Sequence, residues 1–74
     1  MITVVTYRTR SEAEIILDGE RLPIILLADT RLQIESPGPN SRTEATRARI
    51  LSGRHVGKTF EVFRSVVNSL NRDD

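Results

Sequence analysis

The sequence predicts a small α+β fold, an antiparallel sheet of four or five strands with one C-terminal helix packed on one face. Three observations carry this. Ile2–Arg8 is rich in β-branched residues and begins the chain as a strand. Asp18-Gly19 lies between two apolar segments and marks a two-residue hairpin turn. Phe60, Phe63, Val66, Val67 and Leu70 recur at three- and four-residue spacing, the stripe of an amphipathic helix.

The elements follow in order. After the first strand comes a charged turn, Arg8 to Glu12. Ala13, Ile15 and Leu17 then alternate with Glu14, the pattern of a half-buried strand. A type I′ turn at Asp18-Gly19 sets Leu17 opposite Glu20, Ile15 opposite Leu22 and Ala13 opposite Ile24, so apolar residues meet apolar residues. The third strand, Leu22–Leu27, is apolar in succession from Ile24 to Leu27, which asks for cover on both faces. One face belongs to the core, and the C-terminal helix is a natural cover for the other. Pro23 lacks a backbone donor and suits the strand's end. Asp29-Thr30 reads as a turn, and Leu32 and Ile34 alternate on a fourth strand.

Ser36-Pro-Gly-Pro-Asn-Ser41 denies the chain regular structure and is too short for a domain linker. One domain, 1–74, is therefore expected, with β hairpins over 1–36, a Pro/Gly loop over 37–41, and a basic segment plus helix over 42–74. Residues 42–51 admit two readings. Ser41 and Glu44 fit a capping box at a helix start. The alternation of Ala48 and Ile50 against Arg47 and Arg49 fits a strand with one solvated face, and the strand is preferred. In the last element Thr59 is placed to cap the helix, and Glu61 favours the positive end of its dipole.

Composition narrows the function classes. An apolar fraction of 38% with 28% charged residues is that of a globular chain, not a disordered one. There is no cysteine, so disulfides and thiolate metal sites are excluded. No apolar run reaches membrane-span length and the N-terminus has no signal-peptide pattern, so a cytoplasmic setting is expected. His55 is the lone histidine, with no grouped ligands for zinc and no acid placed to orient it for nucleophilic catalysis. Gly53-Arg-His-Val-Gly-Lys-Thr59 has three residues where a phosphate loop needs four before Gly-Lys-Thr, and it reads as a loop preceding the helix. Amides at that helix start, with Arg54 and Lys58, are also placed to hold one phosphate of a nucleic-acid backbone. Glu12, Glu14, Asp18 and Glu20 read as a solubilising face on the first hairpin. No enzyme, cofactor, metal or small-molecule substrate is expected.

Charge is distributed unevenly. Residues 1–36 carry four arginines against six acids, a net of −2, while residues 37–72 carry seven basic residues against two acids, a net of +5. Ten of the eleven basic residues are arginine. Guanidinium is a planar fork that matches phosphate or carboxylate. On a strand, Arg47 and Arg49 point the same way about 7 Å apart, near the spacing of successive phosphates on a nucleic-acid strand. The expected function is a non-catalytic binding module whose Arg42, Arg47, Arg49, Arg54 and Lys58 engage an anionic partner, nucleic acid first. A genome-wide preference for arginine explains the same composition equally well. The alternative is a small regulator of the kind phages and mobile elements encode, inhibiting a host protein such as a nucleic-acid-handling defence complex. Its interface would be the surplus apolar face at Ile25 and Leu27 with the acidic hairpin. A homodimer through that face is a further expectation.

Overall fold

In a computed structural model, which describes residues 3–36 and 45–73, the chain forms the expected class of fold, a five-stranded antiparallel sheet with one short C-terminal helix. The elements are β1 (Thr3–Arg8), β2 (Ala13–Ile15), β3 (Ile24–Leu26), β4 (Arg31–Ser36), β5 (Ala45–Ile50), β6 (Thr59–Phe63), α1 (Arg64–Val67) and β7 (Asn71–Arg72). The main sheet has the order β6-β5-β4-β1-β7, and β2 and β3 make a separate two-stranded sheet. The hairpin is thus an excursion between β1 and β4. The chain then meanders through β5 and β6 and returns by α1 to lay β7 on the far edge of β1.

Register explains the core. Val5 faces Ile34, Ile34 faces Ala48, and Ala48 faces Phe60, so one row of inward side chains crosses four strands. All four are buried, and Ala48 leaves room for Phe60 beside it. A second row runs from Tyr7 through Leu32 to Ile50. Leu17 and Leu26 from the hairpin complete the buried cluster, with Ile15, Ile24, Val67 and Leu70 packed around it. Residues 45–50 take the strand reading, with Ala48 and Ile50 inward and Arg47 and Arg49 outward, because Ala45–Ile50 pairs with β4 on one side and β6 on the other. The expected Pro/Gly loop and the Ser41–Glu44 capping box lie outside the described residues.

Four expectations are corrected. The first concerns the helix, which spans only Arg64–Val67 and has no side-chain cap. Thr59–Phe63 is a strand instead. Phe60 and Val62 alternate inward, while Glu61 and Phe63 turn outward. The segment is β-branched and aromatic, and it fits a pleated edge better than a helix. Thr59 therefore caps nothing, Glu61 meets no dipole, and Phe63 is 62% exposed, not part of the core.

The second correction is the hairpin register. Ile15 pairs with Ile24 and Ala13 with Leu26, two residues along from the expected alignment. An even shift keeps every side chain on its face. Its cause lies in the turn. Gly19 has φ of +84° while Asp18 does not take positive φ, the sign pattern of a type II turn, not type I′. Such turns splay the flanking strands. Glu20 N–H still bonds the Leu17 carbonyl at 3.0 Å, but Asp18 N–H goes to the Thr59 carbonyl of β6 at 3.1 Å. Leu17 consequently drops into the core.

Third, β3 is Ile24–Leu26, shorter than Leu22–Leu27, and its second face is not covered. Ile25 and Leu27 are 59% and 66% exposed, since the short helix lies against β6. Fourth, the glycine-bearing loop leads into β6 and not into a helix. It closes by Ile50 N–H to the Lys58 carbonyl at 2.9 Å and Gly57 N–H to the Ile50 carbonyl at 2.8 Å. Gly57 has φ of +89°, a conformation glycine alone adopts without strain. No helix among the described residues is long and apolar enough to cross a membrane.

Candidate functional site

Four of the five basic residues singled out in the sequence lie among the described residues, two on β5 and two in the loop that follows it. Arg47 and Arg49 do share the outward face of β5, as their two-residue spacing requires. Arg47, however, is already engaged. Its guanidinium pairs with the Asp18 carboxylate, which also accepts a bond from the Thr59 hydroxyl at 3.1 Å. Across the ladder from Arg47 stands Glu61. Arg49 lies between Gln33 and Thr59, exposed and with no ion pair to a described residue. Arg54 and Lys58 are exposed in the β5–β6 loop, also without a described ion pair. Lys58 pairs across from Ile50, so alternation gives it the opposite parity to Arg49. Arg42 lies outside the described residues. The helix-start phosphate site expected at Arg54 and Lys58 is not formed, because no helix begins there and the Gly57 and Lys58 amides are bonded within the loop.

Arg8, Arg10 and Arg31 are held by residues 71 and 73. Arg8 Nε bonds Asp73 Oδ1 at 2.7 Å and Arg31 Nε bonds Asp73 Oδ2 at 3.2 Å, and Asp73 N–H bonds the Thr6 carbonyl at 2.8 Å. Arg10 Nε donates to Asn71 Oδ1 at 2.9 Å. Three of the four cations on the outward sheet face, Arg8, Arg31 and Arg47, thus have carboxylate partners. No metal-binding group of His, Asp or Glu occurs among the described residues.

One concave feature among the described residues is one that sequence reasoning did not single out. A groove of about 770 Å³ runs between the β2–β3 hairpin and the β6–α1 side of the sheet. Its floor is core: Leu17, Leu26, Phe60 and Val62. Its walls carry Ile16, Phe63 and Val66, which are 57%, 62% and 46% exposed. Ile16 and Phe63 were visible in the sequence as breaks in alternation: Ile15-Ile16-Leu17 is apolar in succession, and Phe63 follows Val62. The charged residues lining it are Glu14, Asp18, Glu20 and Glu61, and no arginine or lysine is among its described lining.

The hairpin that forms one wall is fastened at both ends. At its base, Thr9 N–H bonds the Thr30 carbonyl at 3.0 Å and Asp29 N–H bonds the Thr9 carbonyl at 3.0 Å. Thr9 Oγ1 donates to the Leu27 carbonyl at 2.9 Å and accepts from Thr30 N–H at 3.0 Å. At its tip stands the Asp18 N–H bond to Thr59. Between these clasps the groove lies open.

No protein-family model, curated protein or solved structure matches this chain.

Proposed function

We propose that the chain is a non-catalytic protein-binding module that docks its partner in the groove between the β2–β3 hairpin and β6. The observation that carries this is the apolar groove itself, with Ile16, Phe63 and Val66 on its walls about half exposed or more. A small monomer gains nothing from leaving such side chains in water, and a concave apolar surface with a polar rim is the usual form of a docking site. The exposed Ile25 and Leu27 extend apolar surface onto the opposite side of the hairpin.

The test compares proteins captured by the immobilised chain with those captured by an Ile16→Ser/Phe63→Ser chain and an Arg49→Ala/Arg54→Ala chain. The expected result is a protein retained by the unaltered chain and by the arginine variant but lost from the groove variant. Retention by the groove variant as well sinks the reading, provided circular dichroism shows all three folded.

A second reading keeps the anionic partner, nucleic acid included. It is favoured by Arg49, Arg54 and Lys58, which carry exposed charges that no described carboxylate neutralises. If they contact phosphates, duplex affinity falls linearly with salt on logarithmic axes, and Arg49→Ala with Arg54→Ala reduces the slope by about two. Absence of binding at low salt removes this reading.

A further inference from the structure

Resting on the protein-binding reading above, we infer that the groove takes an extended, basic segment of a partner protein, added as a strand to the open edge of β6. Two independent features point to this occupant.

The first is backbone geometry. β6 is the last strand of the main sheet, with β5 on one side only. Antiparallel ladders alternate, so residues whose backbone groups do not face β5 point them outward. The Thr59 carbonyl confirms the phase, since it bonds Asp18 N–H on the side away from β5. Glu61 shares that phase. Its N–H and C=O therefore face the groove side, and no described residue bonds to them there. An edge of this kind is a template for another strand. The available length, residues 60–63, is about 13 Å at the usual rise, enough for a segment of about four residues. Asp18 blocks the Thr59 end, so the segment enters from the Phe63 end. A helix or a nucleic-acid strand would leave these backbone groups unsatisfied.

The second is charge. The groove's described lining holds four carboxylates and no arginine or lysine. Asp18 is occupied by Arg47, which leaves Glu14 and Glu20 on the hairpin wall and Glu61 on the sheet wall without an ion pair to a described residue. An anionic occupant is repelled. A segment with apolar side chains at alternate positions fills the floor over Leu17, Phe60 and Val62, and Lys or Arg at the intervening positions reaches the carboxylates.

The experiment uses the isotopically labelled full chain and four eight-residue peptides. Three alternate valine with lysine, serine or glutamate. The fourth is the lysine peptide N-methylated at alternate amides. Amide shifts and titration calorimetry are the readouts. The lysine peptide is expected to bind and to shift Ile16, Glu61 and Phe63. The serine peptide should bind about tenfold more weakly, the glutamate peptide not at all, and the N-methylated peptide not at all. Rising salt should weaken the lysine complex. Glu61→Lys should lower its affinity about tenfold, and Glu20→Lys, in an exposed turn, should lower it too if the first variant disturbs the fold.

Equal binding of serine and lysine peptides overturns the basic partner while leaving a protein-binding groove in place. Undiminished binding of the N-methylated peptide overturns strand addition. Groove shifts absent with every peptide overturn the inference entire, whereas the capture experiment with Ile16→Ser/Phe63→Ser judges the broader reading separately. Sedimentation of the chain alone as a dimer joined through β6 assigns the edge to a second copy and likewise overturns it.

Discussion

Thr9 and Thr30 are 2% and 8% exposed, and burying a hydroxyl is tolerable only when its bonds are made. They make them with each other's segments and with the Leu27 carbonyl, which Thr30 Oγ1 reaches at 2.6 Å. Thr9→Val keeps the shape but strands the Thr30 N–H and weakens the hold on Leu27. Urea denaturation should register a loss of about 1–3 kcal/mol, more than an isosteric change on the surface would cost. Asp18 illustrates the opposite regime. Its pair with Arg47 is roughly half exposed on both sides, so solvent screens it and its worth is about 0–1 kcal/mol. Asp18→Asn should thus barely move stability. It does, however, release Arg47 beside Arg49. If the outward face of β5 binds phosphate, Asp18→Asn raises duplex affinity and steepens the salt slope by about one. An unchanged slope in filter-binding or anisotropy titrations counts against the anionic reading without touching the groove.

Among the elements, β6 separates what the sequence disclosed from what it did not. β1 was legible from its β-branched content and β4 from the alternation of Leu32 and Ile34, whereas Ala45–Ile50 was legible only as the preferred of two readings, its alternation of Ala48 and Ile50 against Arg47 and Arg49 competing with a capping-box helix start. Thr59–Phe63 also alternates, but Phe63, Val66 and Leu70 continue at helical spacing, and five residues are too few for period alone to arbitrate. Tertiary pairing with β5 decided the matter. The hairpin turn was placed correctly and its register was not, because the splay that follows a positive φ at Gly19 alone is a backbone property that composition does not report. The groove was illegible for the same reason. It exists only once Ile16 and Phe63 are brought to facing walls by β2–β3 and β6. The edge assignment can be tested by proline. Val62 sits opposite Thr46 in the phase that bonds β5, so Val62→Pro removes a ladder bond and should abolish folding. Glu61→Pro loses only an outward N–H, which edge strands tolerate, so it should keep cooperative unfolding while eliminating peptide binding. Unfolding of both variants alike, by thermal melts, means that β6 is not an edge in solution.

For the molecule as a whole, size sets the terms. A 74-residue chain is expected to hold about 4–11 kcal/mol of stability, the remainder of much larger opposing terms. Its core is one thin layer. Phe60, Ile50 and Leu32 of the sheet meet Leu17 and Leu26 of the hairpin, and the groove leaves part of that layer's rim uncovered. Phe60→Ala removes about 3–5 kcal/mol, a large part of the total, and should lower both the urea midpoint and the melting temperature. The same arithmetic makes occupancy of the groove measurable without knowing the natural partner. A ligand that binds only the folded chain stabilises it by about 2.7 kcal/mol at a hundredfold excess over its Kd. At about 4–8 °C per kcal/mol for a domain of this size, the melting temperature should rise by about 10–20 °C. The lysine–valine peptide should produce that rise in the unaltered chain. Polyanions that bind through Arg49 and Arg54 should stabilise less as salt increases, and Ile16→Ser/Phe63→Ser should leave their effect intact while cancelling the peptide's. A peptide-induced rise that survives the groove substitutions places the contact elsewhere, with Ile25 and Leu27 on the far side of the hairpin as the next surface to alter.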